Sequence, residues 1–440
     1  MEKHTLIKIL RHWACFILTA VLAASAVFAA AAGQDEVQAW LELAQEAHEK
    51  GDDAASFRCA EQAANAGNAE AQYILGWMYM NGIGTEPLQE KALEYWRLAA
   101  GQDNPDALLA LALVYINSSH PEQDSEKWQE YLLKAADLGH PVAQASLGSM
   151  YYYGYNLEQD YGKALKYLRL AAEQENADAQ ELLGEMYFLG NGVEPSVETS
   201  LAYTRQAANQ GNANALYYLG WYYENGIGVE QDDTRAFEYY RQAADLGNIS
   251  AMASVGWMYN TGTGTPASLQ QALDYYELAA AGGNAYAQVR LGEMYEDGEG
   301  VEQSYEKAAE YYMQAAGQGN ALAQAYLGLL YEFGDGVELS YDKALEYFRL
   351  SAEQGNDVGQ WGMGQLYQFG LGVELSFEKA AEYYRLSADQ DNPDGLECLG
   401  YLYLEGLGVE QSTDRAMELY RLAAALGSEE AMYQLEIYGD

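Results

Sequence analysis

Cations are what this sequence is shortest of. Its 440 residues hold 23 Lys and Arg against 66 Asp and Glu, a formal charge of −43. Phosphate backbones and anionic lipid repel a surface of that sign, which excludes nucleic acid and membrane surfaces as partners. It favours solubility, and cationic patches on a protein partner. Cysteine is nearly absent too. Of Cys15, Cys59 and Cys398, the last two sit near opposite ends of the chain, so no disulfide framework is expected. Beyond residue 32 only His48, His120 and His140 remain, and no third ligand accompanies His120 and His140 to suggest a metal. No Ser–His–Asp or Cys–His set can be assembled. Catalytic residues, metal and cofactor are therefore not expected.

Long apolar runs are confined to the leader. Lys3, Lys8 and Arg11 precede the apolar stretch Ala14 to Phe28, and Ala29 to Ala32 offer small-residue cleavage choices. Residues 1–32 read as a secretory signal peptide, because the apolar core is short and Gly33, Gln34 and Asp35 follow directly. The competing reading is an uncleaved inner-membrane anchor. Cys15 lacks the small-residue context of a lipidation site. No later segment could span a bilayer after signal cleavage. The location this implies is periplasmic or secreted, in a Gram-negative bacterium.

What fills the rest is repetition. The stretch Asn212 to Gly247 recurs every 36 residues without an insertion from Asn68 to the end. Gly220 has counterparts at Gly76, Gly148, Gly184, Gly256, Gly292, Gly328, Gly364 and Gly400, and Tyr223 recurs in every copy. A fixed period of this length marks a stacked helical array. Ala215, Leu219, Tyr222 and Tyr223 share one face of a first helix, which Asn212 caps and the glycines Gly226 and Gly228 end. Ala236, Tyr239, Tyr240, Ala243 and Ala244 line a second helix, and Ser304, Ser340 and Ser376 supply its cap in later copies. Gly220 lies mid-helix, where glycine costs about 0.5–1 kcal/mol relative to alanine. Its recurrence predicts that helices of neighbouring repeats cross there too closely for a side chain. The tyrosines are read as packing residues.

The pattern LGxxYxxGxGV…KAxxYYxxAAxxGN resembles the Sel1-like repeat, a relative of the tetratricopeptide repeat, over roughly residues 68–440. The resemblance implies an all-α, right-handed superhelical solenoid of about ten 36-residue helix-turn-helix repeats with helical caps. It also implies adaptor or scaffold roles and names no partner. Unlike cysteine-rich members of this class, the repeats here carry no Cys pairs.

The expected order is a signal peptide (1–32), an N-terminal capping helix pair (33–67), ten repeats (68–427) and a C-terminal capping helix (428–440). The repeat from Asn104 departs most, with Ala112 for the packing Gly and Ser118 to Pro121 for the glycine turn. The repeat from Asn356 is read as loosened by Gly359, Gly362 and Gly364.

Variation between copies separates frame from surface. The slots of Tyr217, Trp221 and Glu224 change freely and lie at i, i+4 and i+7, so they share a stripe on the first helix. By analogy with related repeats, that helix lines the concave side. Along the chain the stripe gives Tyr73, Trp77 and Met80; Glu181, Glu185 and Phe188; Tyr217, Trp221 and Glu224; Trp257; Glu293 and Glu296; Glu332; Trp361; and Tyr401. Its carboxylates are read as a solvated acidic face. Exposed aromatics flanked by carboxylates suit a groove for a peptide with basic residues. The competing reading is that these aromatics pack between repeats. The function expected is a non-enzymatic protein- or peptide-binding scaffold in the bacterial envelope. Peptidoglycan or carbohydrate binding is the alternative, followed by hydrolysis of cell-wall or β-lactam substrates, for which the chain offers no nucleophile.

Overall fold

The computed structural model describes residues 33–116 and 127–438. The expected signal peptide with Cys15, the turn Ser118 to Pro121 with His120, and the last two residues of the C-terminal helix lie outside the described residues. Among the described residues there are 23 helices and no strand. The chain forms two compact units, one ending at Asn212 and one beginning at Ala213. The first unit holds five helical hairpins, from Gln34–Glu49 with Asp53–Asn65 to Ala177–Leu189 with Val197–Asn209. The second holds six, from Ala213–Asn225 with Asp233–Asp245 to Pro393–Glu405 with Thr413–Ala425, and ends on the single helix Glu429–Tyr438. This is the tandem helix-turn-helix array that the 36-residue period predicts.

The helix ends follow from the recurring small and polar residues. Asn248 Oδ1 accepts the Ala251 N–H at 2.8 Å, and Asn320 Oδ1 accepts that of Ala323 at 2.9 Å. His140 stands in the same place and caps with Nδ1, 3.3 Å from the Ala143 nitrogen. Ser304 and Ser376 each accept an N–H three residues on, at 3.3 Å. Gly226 (φ +64°) and Gly228 (φ +68°) turn the chain between the helices in a region that side chains rarely enter.

Mid-helix glycines do admit a close approach, but not the one expected. A Cβ on Gly220 would stand 2.6 Å from Tyr240 Cδ1, and one on Gly256 2.7 Å from Tyr276 Cδ1. Gly328 meets Phe348 and Gly364 meets Tyr384 in the same way. Each ring lies twenty residues after its glycine, so the crossing is between the two helices of one repeat and not between neighbours. The reason is the ring itself: Tyr240, Tyr276, Tyr312, Phe348, Tyr384 and Tyr420 are the largest fully buried side chains, and each needs the space of a missing Cβ. Nor do Gly359 and Gly362 loosen their repeat. Asp357–Phe369 is one unbroken helix, and Cβ atoms at these two glycines would collide with Ser351 and Phe348.

A second set of tyrosines stacks in pairs across the hairpins, with one or both rings of each pair half-buried. Tyr223 stacks on Tyr239 (centroids 5.6 Å apart), and Arg235 lies 5.5 Å above the Tyr223 ring. Tyr331, Tyr347 and Lys343 repeat the arrangement, with Nζ 4.5 Å from the ring. The scarce cations are concentrated here. Of the twenty Lys and Arg after residue 32, eighteen lie on second helices; the others are Lys50, at a helix end, and Arg290.

Candidate functional site

All fifteen stripe residues singled out from the sequence lie on first helices. The structure exposes one of them, Tyr401 at 43%, buries Glu332 and leaves the other thirteen half-buried. Trp77 packs against the cores on either side of it, and Tyr73 beside it has its hydroxyl pushed up to about 12 by burial. Tyr217 lies 5.4 Å from the Tyr240 ring, and Trp221 meets Tyr222 edge-on at 5.7 Å. Trp257 is half-buried on Ile249–Thr261, and its carbonyl accepts from Thr261 Oγ1 at 3.0 Å. Trp361 packs against the cluster around Tyr384, its indole N–H buried beside the Cys398 sulfur. Burial pushes the Cys398 thiol up to about 12. The aromatics are thus partly frame and partly surface, between the two readings that the sequence left open.

The carboxylates differ more from expectation. Glu224 and Glu296 are not simply solvated: they accept the Tyr240 and Tyr312 hydroxyls at 2.6 and 2.7 Å. Glu185 accepts from Tyr152 at 2.9 Å, and Asn191 Nδ2 donates to the same hydroxyl oxygen at 2.9 Å. Burial, and then the carboxylates beside them, hold the Tyr240 and Tyr312 hydroxyls far above the usual range. Glu293 pairs with Arg290 Nη1 at 2.6 Å; burial raises its carboxyl while the guanidinium pulls it back. Burial also raises Glu296. The physical reason for the difference is geometric. Glu224 and Glu296 each reach the phenol sixteen residues later, which stands over the glycine of the same hairpin, and Glu185 reaches back to Tyr152 of the hairpin before.

Two features carry signals that the sequence reading passed over. Glu332 occupies the slot of Glu224 and Glu296, but the residue sixteen further on is Phe348. No hydroxyl is offered, and Glu332 Oε2 is buried without a hydrogen-bond partner in a side chain only 6% exposed. Burial alone pushes this carboxyl up to about 7. The second feature is a pair of glutamines. Gln102, Gln174, Gln210, Gln318, Gln354 and Gln390 each donate from Nε2 to the Oε1 of a buried glutamine thirty residues earlier, at 2.7–2.8 Å.

Chemically the first helices offer aromatic faces, acceptor oxygens and one guanidinium. Among the described residues, no group of three or more His, Cys, Asp or Glu is placed to hold a metal, and the cysteines form no disulfide. His48 is engaged with Asp53 at 2.5 Å, and His140 reaches Asp106 at 3.3 Å from its cap. No helix among them is long and apolar enough to cross a membrane.

The Sel1 repeat model matches eleven segments: 41–68, 69–104, 105–140, 141–176, 177–212, 213–248, 249–284, 285–320, 321–356, 358–392 and 399–428. The first of these falls on the helix pair that the sequence sets apart as a cap. Among solved structures the chain is similar to c5321, a protective antigen present in uropathogenic Escherichia coli strains that displays an SLR fold. Identity is 35%, the match covers 87% of this chain and 82% of that one, and the TM-score is 0.73. It is also similar to a Sel1 repeat protein from Oxalobacter formigenes, at 28% identity, 56% and 96% coverage and a TM-score of 0.52. No curated protein sequence matches it. With eleven matched segments laid over eleven helical hairpins, the chain belongs to the Sel1 repeat family.

Proposed function

We propose that this chain is a non-enzymatic scaffold of the bacterial envelope, and that its first-helix stripe binds a protein or peptide segment bearing Lys or Arg. The observation that carries the reading is the partition of charge. The ten first helices between Ala69 and Glu405 hold fourteen carboxylates and one cation, Arg290. Eighteen of the remaining cations lie on second helices, eight of them over tyrosine rings. A basic segment laid along the stripe meets attraction with little competition, and half-buried aromatics beside it supply apolar area at small extra ordering cost. The basic, then apolar, leader supports an exported protein, and the bacterial sources of the similar structures support a bacterial one.

The test is capture from a periplasmic extract by the mature chain and by a Trp77→Ala/Trp221→Ala/Trp257→Ala variant, beside sedimentation with peptidoglycan. The expected result is one protein captured by the first and lost by the second, more weakly at higher salt, with both chains melting cooperatively. Capture indifferent to salt and to the three substitutions would reject the stripe. Sedimentation with cell wall and no protein captured would favour carbohydrate binding instead.

A further inference from the structure

Two consecutive hairpins of the second unit depart from the others at the edge where the first helix turns into the second. Elsewhere in this unit the last residue of the first helix and the residue six further on are small or polar. They are Asn225 and Gln231, Thr261 and Ala267, Asp297 and Gln303, and Glu405 and Gln411. In the hairpins that begin at Ala321 and Asp357 they are Phe333 and Leu339, then Phe369 and Leu375. These four are 61%, 49%, 59% and 52% exposed. A single exposed apolar residue is ordinary, but the same pair repeated at one position of adjacent repeats is a patterned apolar edge.

The turns that carry this edge are acidic. Asp335, Glu338 and Glu374 lie in them, and no Lys or Arg occurs from Phe333 to Ser340 or from Phe369 to Ser376. The same two hairpins also hold the unpartnered Glu332, next in the chain to Phe333, and the close-packed Gly359 and Gly362. A stretch that breaks several local rules at once is where a functional constraint is expected.

We propose that this edge docks a partner segment in which large apolar side chains alternate with Lys or Arg. The apolar side chains cover the two Phe/Leu pairs, and the cations meet the acidic turns between them. A second copy of this chain would bring the same acidic turns and a charge of −43 to the contact, so repulsion disfavours it as the occupant. Anionic lipid is disfavoured for the same reason. The assignment does not rest on the aromatic stripe, which uses other side chains of the first helices.

The experiment is fluorescence anisotropy of labelled (Lys-Phe)4, (Glu-Phe)4 and (Lys-Ser)4 peptides against the full chain. It is run on wild type, on Phe333→Asn/Phe369→Asn, on Leu339→Gln/Leu375→Gln and on Trp221→Ala/Trp257→Ala. Asn and Gln are what the chain itself places at 225 and 231, so the edge variants keep the fold, which thermal melts verify. The expected result is binding of (Lys-Phe)4 that weakens by about ten-fold in both edge variants and not in the tryptophan variant, with the other two peptides about ten-fold weaker. Equal binding of (Glu-Phe)4, or affinity unchanged by the edge substitutions, overturns the proposal, as does absence of binding. So does a wild-type dimer in sedimentation that the Phe substitutions abolish. Binding lost only in the tryptophan variant would leave the stripe standing and remove this edge.

Discussion

The Tyr240 hydroxyl donates to Glu224 across 2.6 Å, tying the second helix of a hairpin back to its first. Tyr312 with Glu296 and Tyr384 with Gln368 repeat the bond at 2.7 and 2.6 Å, always sixteen residues apart. Three other hairpins of the second unit lack it: Leu404, opposite Tyr420, offers no acceptor, and the remaining two fail for opposite reasons. Asn260 is too short, and its Oδ1 is left buried without a partner. Glu332 is long enough but faces a chain in which Phe348 replaces the phenol.

Phe348→Tyr should therefore restore the bond. The ring already sits against the glycine positions 328 and 362, as the Tyr240 ring sits against Gly220. A hydrogen bond to an ionised acceptor contributes about 1.5–3 kcal/mol, and a gain toward the lower end is expected above pH 7. The check is the urea midpoint, together with the Glu332 carboxyl titration by NMR, which should move down. A variant less stable than wild type would mean that the new hydroxyl finds no acceptor.

The pH dependence of the wild-type chain follows from the same carboxyl. Burial raises Glu332 from its ordinary 4.5 to about 7. Between those values the folded chain holds a proton that the unfolded chain has released, so stability falls as pH rises through the window and levels off above it. The loss attributable to Glu332 is at most about 3 kcal/mol at ~1.4 kcal/mol per pH unit. Glu332→Gln carries no such proton. Its advantage over wild type should be near zero at pH 4.5 and grow to its full size by pH 8, read from paired denaturant curves. Parallel curves at all pH values would show that this carboxyl is solvated.

Glycine to alanine should change sign with position. At Gly220 the new Cβ would press on the buried Tyr240 ring at 2.6 Å, and overpacking of this kind costs about 1–3 kcal/mol. At Gly317, the last residue of Tyr305–Gly317, no atom lies within 4 Å and the backbone is not left-handed. There alanine should add about 0.4–1 kcal/mol by restricting the unfolded chain. Melting temperatures of the two variants on either side of wild type would confirm the pair. A neutral Gly220→Ala would mean that the ring can retreat.

What the sequence made legible was whatever is local or strictly periodic. The Asn248 and Asn320 caps, the Gly226–Gly228 turn and the alternation of first and second helices need only neighbours in the chain, and all were readable. The partner of Gly220 was not. Periodicity says that a position is constant without saying whether the reason lies twenty residues on, in Tyr240, or in the next repeat. Glu224 misled for a related reason. A slot that changes between copies looks like surface, yet Glu224 and Glu296 in it accept the Tyr240 and Tyr312 hydroxyls, and Glu332 is an orphan because Phe348 stands opposite. Trp221 and Trp361 fell between categories because a stripe at the margin of a helix interface is half frame and half surface.

The glutamine pairs make that lesson testable. Gln390 Nε2 donates to Gln360 Oε1 at 2.8 Å and to the Gly355 carbonyl at 2.9 Å, joining one repeat to the end of the one before it. Where a repeat abandons the first glutamine it abandons the second too: Leu108 with Leu138, Leu216 with Leu246, Leu396 with Leu426, and Met252 with Gly282. The two positions are thus exchanged as a unit, polar for polar or apolar for apolar. Gln390→Leu alone should leave the Gln360 oxygen buried without a donor, a loss of about 1–3 kcal/mol. Gln360→Leu/Gln390→Leu should recover most of it, because the leucines then cover each other and the Gly355 carbonyl can turn to water. A double-mutant cycle in urea measures the difference, with a coupling of about 1–2 kcal/mol expected. Additive single costs would show instead that the two sites vary together without acting together.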